Sequence, residues 1–183
     1  MFGNFTEEAR RIIVEAKKEM FELKHPYVGS EHLLLSILKD KNEISKKLKE
    51  FDLTYEKLKE EIINIIGKGT IETEWFLYTP LLKRIMENAI IDSKENNNGE
   101  VTIEHLFTSL LEEGEGVAIR IMIGMDIDID KLYNEFSYKF TSKIKKNKKL
   151  EIETLGVNLT EQANTLDPVI GREKEIKRCL YRN

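Results

Sequence analysis

The sequence contains an internal repeat. The stretch "GSEHLLLSIL" begins at Gly29, and "TIEHLFTSLL" begins at Thr102, 73 positions later. The same shift places Thr6 on Thr79, and near the end of the copies the shift becomes 74. Because a solenoid needs three or more repeats, two copies of about 65 residues predict a duplicated domain.

Each copy is predicted to form four helices, so the expected fold class is all-α: a pseudo-twofold duplicated four-helix repeat with about eight helices. In the first copy Thr6 is a natural N-cap, and acidic residues follow it in the favoured first turn. Further helices are expected from about Ser30, over 42–51 and from Thr54, and Gly67 ends the last one.

The second copy follows the same plan. Thr79 is expected to cap a helix in which Pro80 occupies the first position, where the missing N–H costs nothing. Further helices are expected at about 103–112, 115–124 and 129–140. The extended link "KGTIETEWFLY" joins the copies, and we expect three of its aromatic residues to cover the seam between them: Trp75, Phe76 and Tyr78.

Composition excludes several classes of function. The formal net charge of -4 gives no general reason to bind nucleic acid or an anionic membrane. The single cysteine, Cys179, cannot form an internal disulfide, which suits a reducing cytoplasm. The first residues contain no apolar signal-peptide core, and no apolar run is long enough for a membrane span. We therefore expect a cytoplasmic protein.

The repeated Glu-His pair permits two interpretations. In the simpler one, Ser30 caps the helix and Glu31 complements the positive end of its dipole. In the functional one, the free N–H groups at the helix start bind an anion, and the adjacent carboxylate binds a guanidinium through two parallel hydrogen bonds. Together these groups suit a ligand that carries both charges close together.

The second copy differs just before its Glu-His pair, Glu104-His105. Thr102 and Ile103 stand where the first copy has Gly29 and Ser30, and isoleucine cannot cap a helix. Either Thr102 caps one residue earlier, or the second pocket has lost its phosphate site.

No other pattern indicates chemistry. The spacing of His25 and His32 is not that of a metal-ligand pair on one helix face, and histidines at equivalent repeat positions, such as His32 and His105, are more simply structural. No metal site is therefore expected. The chain has no G-x-S-x-G sequence and no G-x-x-x-x-G-K-[ST] phosphate loop. Gly114 and Gly116 in "EEGEGVA" are predicted to form a turn between helices, and we expect no catalytic site.

Four stretches resemble the N-terminal region of ClpC-type AAA+ unfoldases: "MFGNFTEEARRII", "VGSEHLLLSIL", "EHLFTSLLEEGEGVA" and "LDPVIGREKEIKR". The resemblance implies a Clp repeat domain over 1–140, with repeat one at 5–67 and repeat two at 78–140. It implies a linker over 141–166 and the truncated start of an ATPase module over 167–183. ATP and magnesium would belong to the complete parent protein, and this chain alone is not expected to be an enzyme.

In that family the repeat domain receives adaptor proteins and substrates for unfolding and delivery to the ClpP protease. The Gram-positive branch also binds phosphorylated arginine, a degradation mark, at two sites related by the repeat. Carried over by position, the resemblance implies phosphoarginine-binding residues at Gly29, Ser30, Glu31, His32, Thr102, Glu104 and His105.

The resemblance also implies a hydrophobic surface for an adaptor or cyclic peptide at Phe2 and Tyr78, although these aromatics could simply cover the seam. The parent protein would be hexameric and the isolated fragment monomeric. A second hypothesis is a free-standing, non-catalytic regulator that competes for Clp adaptors. The reading frame beyond Asn183 would distinguish the two.

Overall fold

The computed structural model describes residues 2–96 and 99–137. The predicted linker and ATPase start lie outside these residues, as does the end of the last predicted helix. The described residues confirm the all-α duplicated repeat. Four helices form the first repeat: α1 (Glu7–Glu22), α2 (Ser30–Lys39), α3 (Glu43–Glu50) and α4 (Tyr55–Ile66). The second repeat contains α5 (Pro80–Asn96), α6 (Ile103–Glu113), α7 (Val117–Gly124) and α8 (129–137).

The predicted helix starts rest on local hydrogen bonds. Thr6, Thr54 and Thr79 each accept, through the side-chain oxygen, the backbone N–H three residues further on, at 3.1, 3.3 and 3.1 Å. These bonds satisfy N–H groups that have no partner within the helix. Gly67 ends α4 with a positive φ of 85°, which a glycine adopts without strain. The predictions at these four positions are confirmed.

Helix packing repeats between the copies. α1 packs along α2, and α5 packs along α6 in the same way. α2 also contacts α3, α4, α6 and α7, so it lies where the two repeats meet. One apolar core results, because buried residues of both repeats belong to a single cluster. Its fully buried side chains include Ile12, Met20, Leu33, Leu34, Leu58 and Phe107.

Each repeat is held to the other by a short parallel bridge. Phe5 of the first repeat pairs with Val101 of the second, and Tyr78 of the second pairs with Val28 of the first. A shift of 73 residues converts Phe5 into Tyr78 and Val28 into Val101, so the two bridges are equivalent. Val28 N–H donates to Leu77 O at 2.8 Å. The segment that enters each repeat therefore fixes the loop just before the other repeat's Glu-His helix.

The link between the repeats is extended, as predicted, but its aromatics behave differently from one another. Tyr78 packs against the core, and Phe76 lies edge-on to it with ring centroids 5.6 Å apart. Trp75 is 84% exposed, so the prediction that it covers the seam is wrong. Its neighbour Phe76 is 39% exposed, and both the ammonium of Lys17 and the ring of Tyr78 contact it.

None of the helices in the described ranges combines the length and the apolar character that a membrane span requires.

Candidate functional site

The Glu-His helix of the first repeat begins differently from the prediction. Gly29 is its N-cap, with extended backbone angles (φ -111°, ψ -179°), and Ser30 is the first helical residue. The expectation that Ser30 caps the helix is therefore wrong. Its hydroxyl is instead buried, with the residue 1% exposed, and makes no hydrogen bond among the described residues. The turn at Gly116 covers it: a Cβ at Gly116 would lie 2.8 Å from Ser30 Oγ.

The histidine of the first pair is part of the helix cap. The backbone N–H of Gly29 donates to Nδ1 of His32 at 2.9 Å. Nδ1 therefore carries no hydrogen, and Nε2 must carry one. Nε2 lies 2.9 Å from Nδ1 of His25, whose own Nε2 lies 2.8 Å from Gly67 O. A single assignment satisfies the chain: His32 donates to His25, and His25 donates to the carbonyl of Gly67.

This chain of hydrogen bonds bears on metal binding. His25, Glu31 and His32 each offer a ligand atom within 4.8 Å of the others, so the fold brings together two histidines that their spacing along the chain did not pair. All four ring nitrogens nevertheless have hydrogen-bond partners, namely each other, Gly29 N and Gly67 O. The arrangement is that of a neutral structural relay.

Glu31 turns its carboxylate back over the start of its own helix. One carboxylate oxygen lies 3.6 Å from Nδ1 of His32. The carboxylate atoms fill the space beside Gly29, where a Cβ would lie 2.5 Å from Oε2. The side chain is only 13% exposed, and burial raises the pKa of the Glu31 carboxyl.

The second Glu-His helix begins at the same place in its repeat. Thr102 is the N-cap, as Gly29 is in the first repeat, and Ile103 is the first helical residue, as Ser30 is. Thr102 N–H donates to Nδ1 of His105 at 3.0 Å, and Thr102 Oγ1 accepts the N–H of His105 at 3.4 Å. Of the two alternatives for the second repeat, the first is confirmed: Thr102 caps the helix, so Ile103 does not have to.

Both histidines are neutral near pH 7. Burial lowers the pKa of His32 to about 3 and that of His105 to about 4. Glu104 is the second residue of α6, as Glu31 is of α2, and it is partly buried. Each helix start therefore combines first-turn amides, a carboxylate and an uncharged histidine.

The proposed hydrophobic residues Phe2 and Tyr78 lie against each other. Their ring centroids are 6.4 Å apart with the planes nearly perpendicular, and Phe2 also contacts Phe5 at 5.2 Å. Both are partly buried against the core. The hydroxyl of Tyr78 is buried, and burial raises its pKa. Both rings therefore lie where the two repeats meet, and the backbone of Tyr78 pairs with Val28, next to the N-cap Gly29 of α2.

Two features of the fold were not predicted from the sequence. The turn at Gly116 in the second repeat touches Ser30 in the first, and no local pattern shows which helix a turn will contact. Glu19 is buried beneath Tyr55, Lys39 and Lys59, in the middle of an otherwise apolar helix face. The signal for it was a charged residue at a core position next to Met20.

Comparison with known proteins assigns the family. The Clp repeat (R) N-terminal domain matches residues 4–97 and again 77–166. The chain is 35% identical, over 98% of its length, to the ATP-dependent Clp protease ATP-binding subunit ClpC of Staphylococcus saprophyticus. It is 36% identical over the same share to that of Staphylococcus aureus strain N315. It spans 23% and 24% of these relatives' lengths.

Solved structures agree on the fold. The N-terminal domain of ClpD from Arabidopsis thaliana matches 76% of this chain and 99% of its own, with a TM-score of 0.64 and 23% identity. The N-domain of ClpV from Vibrio cholerae matches 76% of this chain and 87% of its own, with a TM-score of 0.59 and 18% identity. With the double match of the repeat, these findings show that the chain belongs to the Clp repeat N-terminal domain family.

Proposed function

We propose that this chain is the recognition domain of a ClpC-type unfoldase, and that it binds adaptor proteins and phosphoarginine-marked substrates. The observation that carries the proposal is the repeated helix start: in α2 and in α6 a glutamate is the second helical residue, beside first-turn amides. Its similarity to the ClpC subunits over 98% of its length supports the choice of this branch of the family.

The chemistry of the ligand fits this arrangement. Phosphoarginine carries a phosphate and a guanidinium a few bonds apart. Free amides at a helix start attract the phosphate, since the helix dipole is positive there. A carboxylate in the same turn accepts the guanidinium through charged hydrogen bonds. Neither element alone distinguishes phosphoarginine from arginine or from free phosphate, whereas Glu31 and Glu104 each stand beside the amides.

The neutral histidines support the same proposal. His32 and His105 fix the backbone of each N-cap residue by accepting its N–H. Because burial lowers both pKa values well below neutrality, neither ring presents a positive charge that would compete with a guanidinium for the carboxylate. The helix start is thus held rigid without altering the charge of the pocket.

The proposed partners of the whole protein follow from the family. A relative, the ClpV N-domain, has been solved in complex with a VipB peptide, which supports peptide or adaptor binding by this kind of domain. Delivery to ClpP, a hexameric parent and a cytoplasmic location are part of the proposal, and the single cysteine of the chain suits a reducing compartment.

The test is calorimetric titration of phosphoarginine, arginine and phosphate into the 183-residue chain, wild type and Glu31→Ala. Loss of a charged hydrogen bond to the guanidinium should weaken phosphoarginine binding at the α2 site about tenfold to over a hundredfold. Glu43→Ala is the matched control, because Glu43 also lies in the first turn of a helix but is exposed. If Glu31→Ala binds as wild type does, the helix start is only structural.

A further inference from the structure

We propose that the Glu31 carboxylate is a built-in occupant of the α2 helix start, and that Gly29 is the residue that makes room for it. A ligand phosphate would bind by displacing this carboxylate, which then accepts the guanidinium of the same ligand. The identity of the ligand rests on the function proposed above. The displacement itself rests on the contacts of Glu31 and Gly29.

The first step of the argument concerns the room beside Gly29. A Cβ there would lie 2.5 Å from Oε2, 2.6 Å from Oε1 and 2.8 Å from Cδ of Glu31, far inside contact distance. The backbone angles of Gly29 are extended and open to any residue, so its conformation does not require glycine. What requires glycine is the position of the carboxylate.

The second step concerns what the carboxylate does there. Its oxygens lie against the N-cap residue Gly29, so an internal anion already sits where the helix attracts anions. In the described part of the chain its one ion-pair contact is with His32, which is uncharged at neutral pH. The carboxylate is thus mostly buried without a cation. Movement outward to a guanidinium would supply that cation.

The third step compares the two repeats. Thr102 stands where Gly29 does, and its side-chain oxygen caps α6 by accepting the N–H of His105. The α2 start has no such side-chain cap, and the Glu31 carboxylate lies over it instead. The Ser30 hydroxyl in the same turn lies under the turn at Gly116 and makes no hydrogen bond among the described residues. The displaceable carboxylate is therefore a feature of the first repeat.

The experiment uses the 183-residue chain, wild type, Gly29→Ala and Glu31→Ala, with inorganic phosphate and phosphoarginine as separate probes. A methyl group at Gly29 meets only the end of a flexible side chain, so it should move the carboxylate out without unfolding the helix. NMR amide shifts of residues 30–33 report binding, and the carboxyl carbon of Glu31 reports displacement without any ligand. Gly124→Ala is the control, because nothing lies within 4 Å of a Cβ there.

With phosphate, both Gly29→Ala and Glu31→Ala should bind about two- to fivefold more tightly than wild type, the factor that corresponds to one helix-cap interaction. With phosphoarginine the two variants should separate: Gly29→Ala binds more tightly, and Glu31→Ala more weakly. In Gly29→Ala without ligand, the pKa of the Glu31 carboxyl should fall towards its ordinary value, because the carboxylate leaves its buried position. The substitution does not change the neighbouring residues His25 and His32.

Unchanged phosphate affinity in Gly29→Ala and Glu31→Ala would overturn the inference, as would a Glu31 carboxyl that does not respond to Gly29→Ala. So would the absence of any phosphate-induced shift over residues 30–33 in every variant. Failure of the proposed function has a different signature: wild type would not prefer phosphoarginine to arginine, while the phosphate results above would still support displacement.

Discussion

The backbone amide of Gly29 donates a hydrogen bond to Nδ1 of His32 across 2.9 Å. Thr102 and His105 repeat the bond at 3.0 Å. This hydrogen bond explains why a histidine recurs in both Glu-His pairs. From the third helical position, the histidine accepts the N–H of the N-cap residue, a role that a glutamate or glutamine often has. Our proposal assigns ligand binding to the glutamate of each pair.

The first prediction concerns the histidine relay. His32→Leu removes the acceptor of the Gly29 N–H and the partner of His25 together, and both groups are buried. With two unsatisfied groups, the free energy of unfolding should fall by about 2–4 kcal/mol. Urea unfolding followed by circular dichroism measures this. His105→Leu, which removes the acceptor of one N-cap amide, should cost less. A loss in His32→Leu below about 0.5 kcal/mol would show that the relay does not stabilise the fold.

The second prediction concerns pH. The pKa values of His32 and His105 are about 3 and about 4 in the folded state and about 6.5 when unfolded. Below pH 6.5 the unfolded chain therefore binds protons that the folded chain does not, so the free energy of unfolding falls as the pH falls. Each histidine should contribute a loss of about 2 kcal/mol between pH 7.5 and pH 5.

The check is urea unfolding at both pH values for wild type and His105→Gln. The variant lacks one of the two histidines, so it should lose about 2 kcal/mol less than wild type over the interval. Burial raises the pKa of Glu31, which has the opposite effect on the pH dependence, but this contribution cancels in the comparison. Equal losses in the two proteins would contradict the assignment.

The third prediction concerns the buried charge of α1. Glu19 is 1% exposed and accepts hydrogen bonds from Tyr55 at 3.0 Å and Lys39 at 3.0 Å, and it lies 3.6 Å from Lys59. These contacts join α1 to α2 and α4. Glu19→Ala would remove a buried carboxylate and its hydrogen bonds, while Lys39 keeps Glu15 and Lys59 keeps Glu22, so we expect a loss of about 1–3 kcal/mol.

The matched control for Glu19 is Glu22→Ala. Glu22 binds the same Lys59 at 2.8 Å, but its side chain is 62% exposed, so its loss should stay below about 1 kcal/mol. Chemical unfolding of both variants at one pH gives the comparison. If the two changes destabilise equally, burial is not what makes the contribution of Glu19 large.

The fourth prediction concerns the turn between α6 and α7. Gly116 has a φ of +94°, and a Cβ there would lie 2.5 Å from Leu81 Cδ2 and 2.8 Å from Ser30 Oγ. Gly116→Ala should therefore lower the free energy of unfolding by about 1–3 kcal/mol, through backbone strain and overpacking. Gly124→Ala, with open space around it, should leave the free energy of unfolding unchanged or raise it slightly. Urea unfolding of both variants measures the difference. Equal behaviour of the two would contradict the contact between the repeats.

The sequence predicts the helices well because their start signals are local. Thr6, Thr54 and Thr79 cap as single residues, and the offset of 73 transfers the assignment of Thr6 to Thr79. Cap assignment failed only at Ser30, because a glycine N-cap supported by a histidine three residues later carries no side-chain signal of its own.

Contacts between distant segments could not be predicted in this way. The approach of Gly116 to Ser30 and the pairing of Phe5 with Val101 depend on how two whole repeats pack. The meeting of His25 with His32 depends on a loop that helical spacing does not describe. Trp75 was misplaced because aromatic composition predicts burial only on average, and this residue points to solvent.

If each Glu-His helix start is one ligand site, as we propose, the stoichiometry of phosphoarginine binding must show two sites per chain. Calorimetric titration should give two sites per chain in wild type, one in Glu31→Gln, one in Glu104→Gln and none in the double variant. Glutamine keeps the shape of the side chain and removes only the charge that holds the guanidinium. Two sites in the double variant, or no binding in wild type, would contradict the claim.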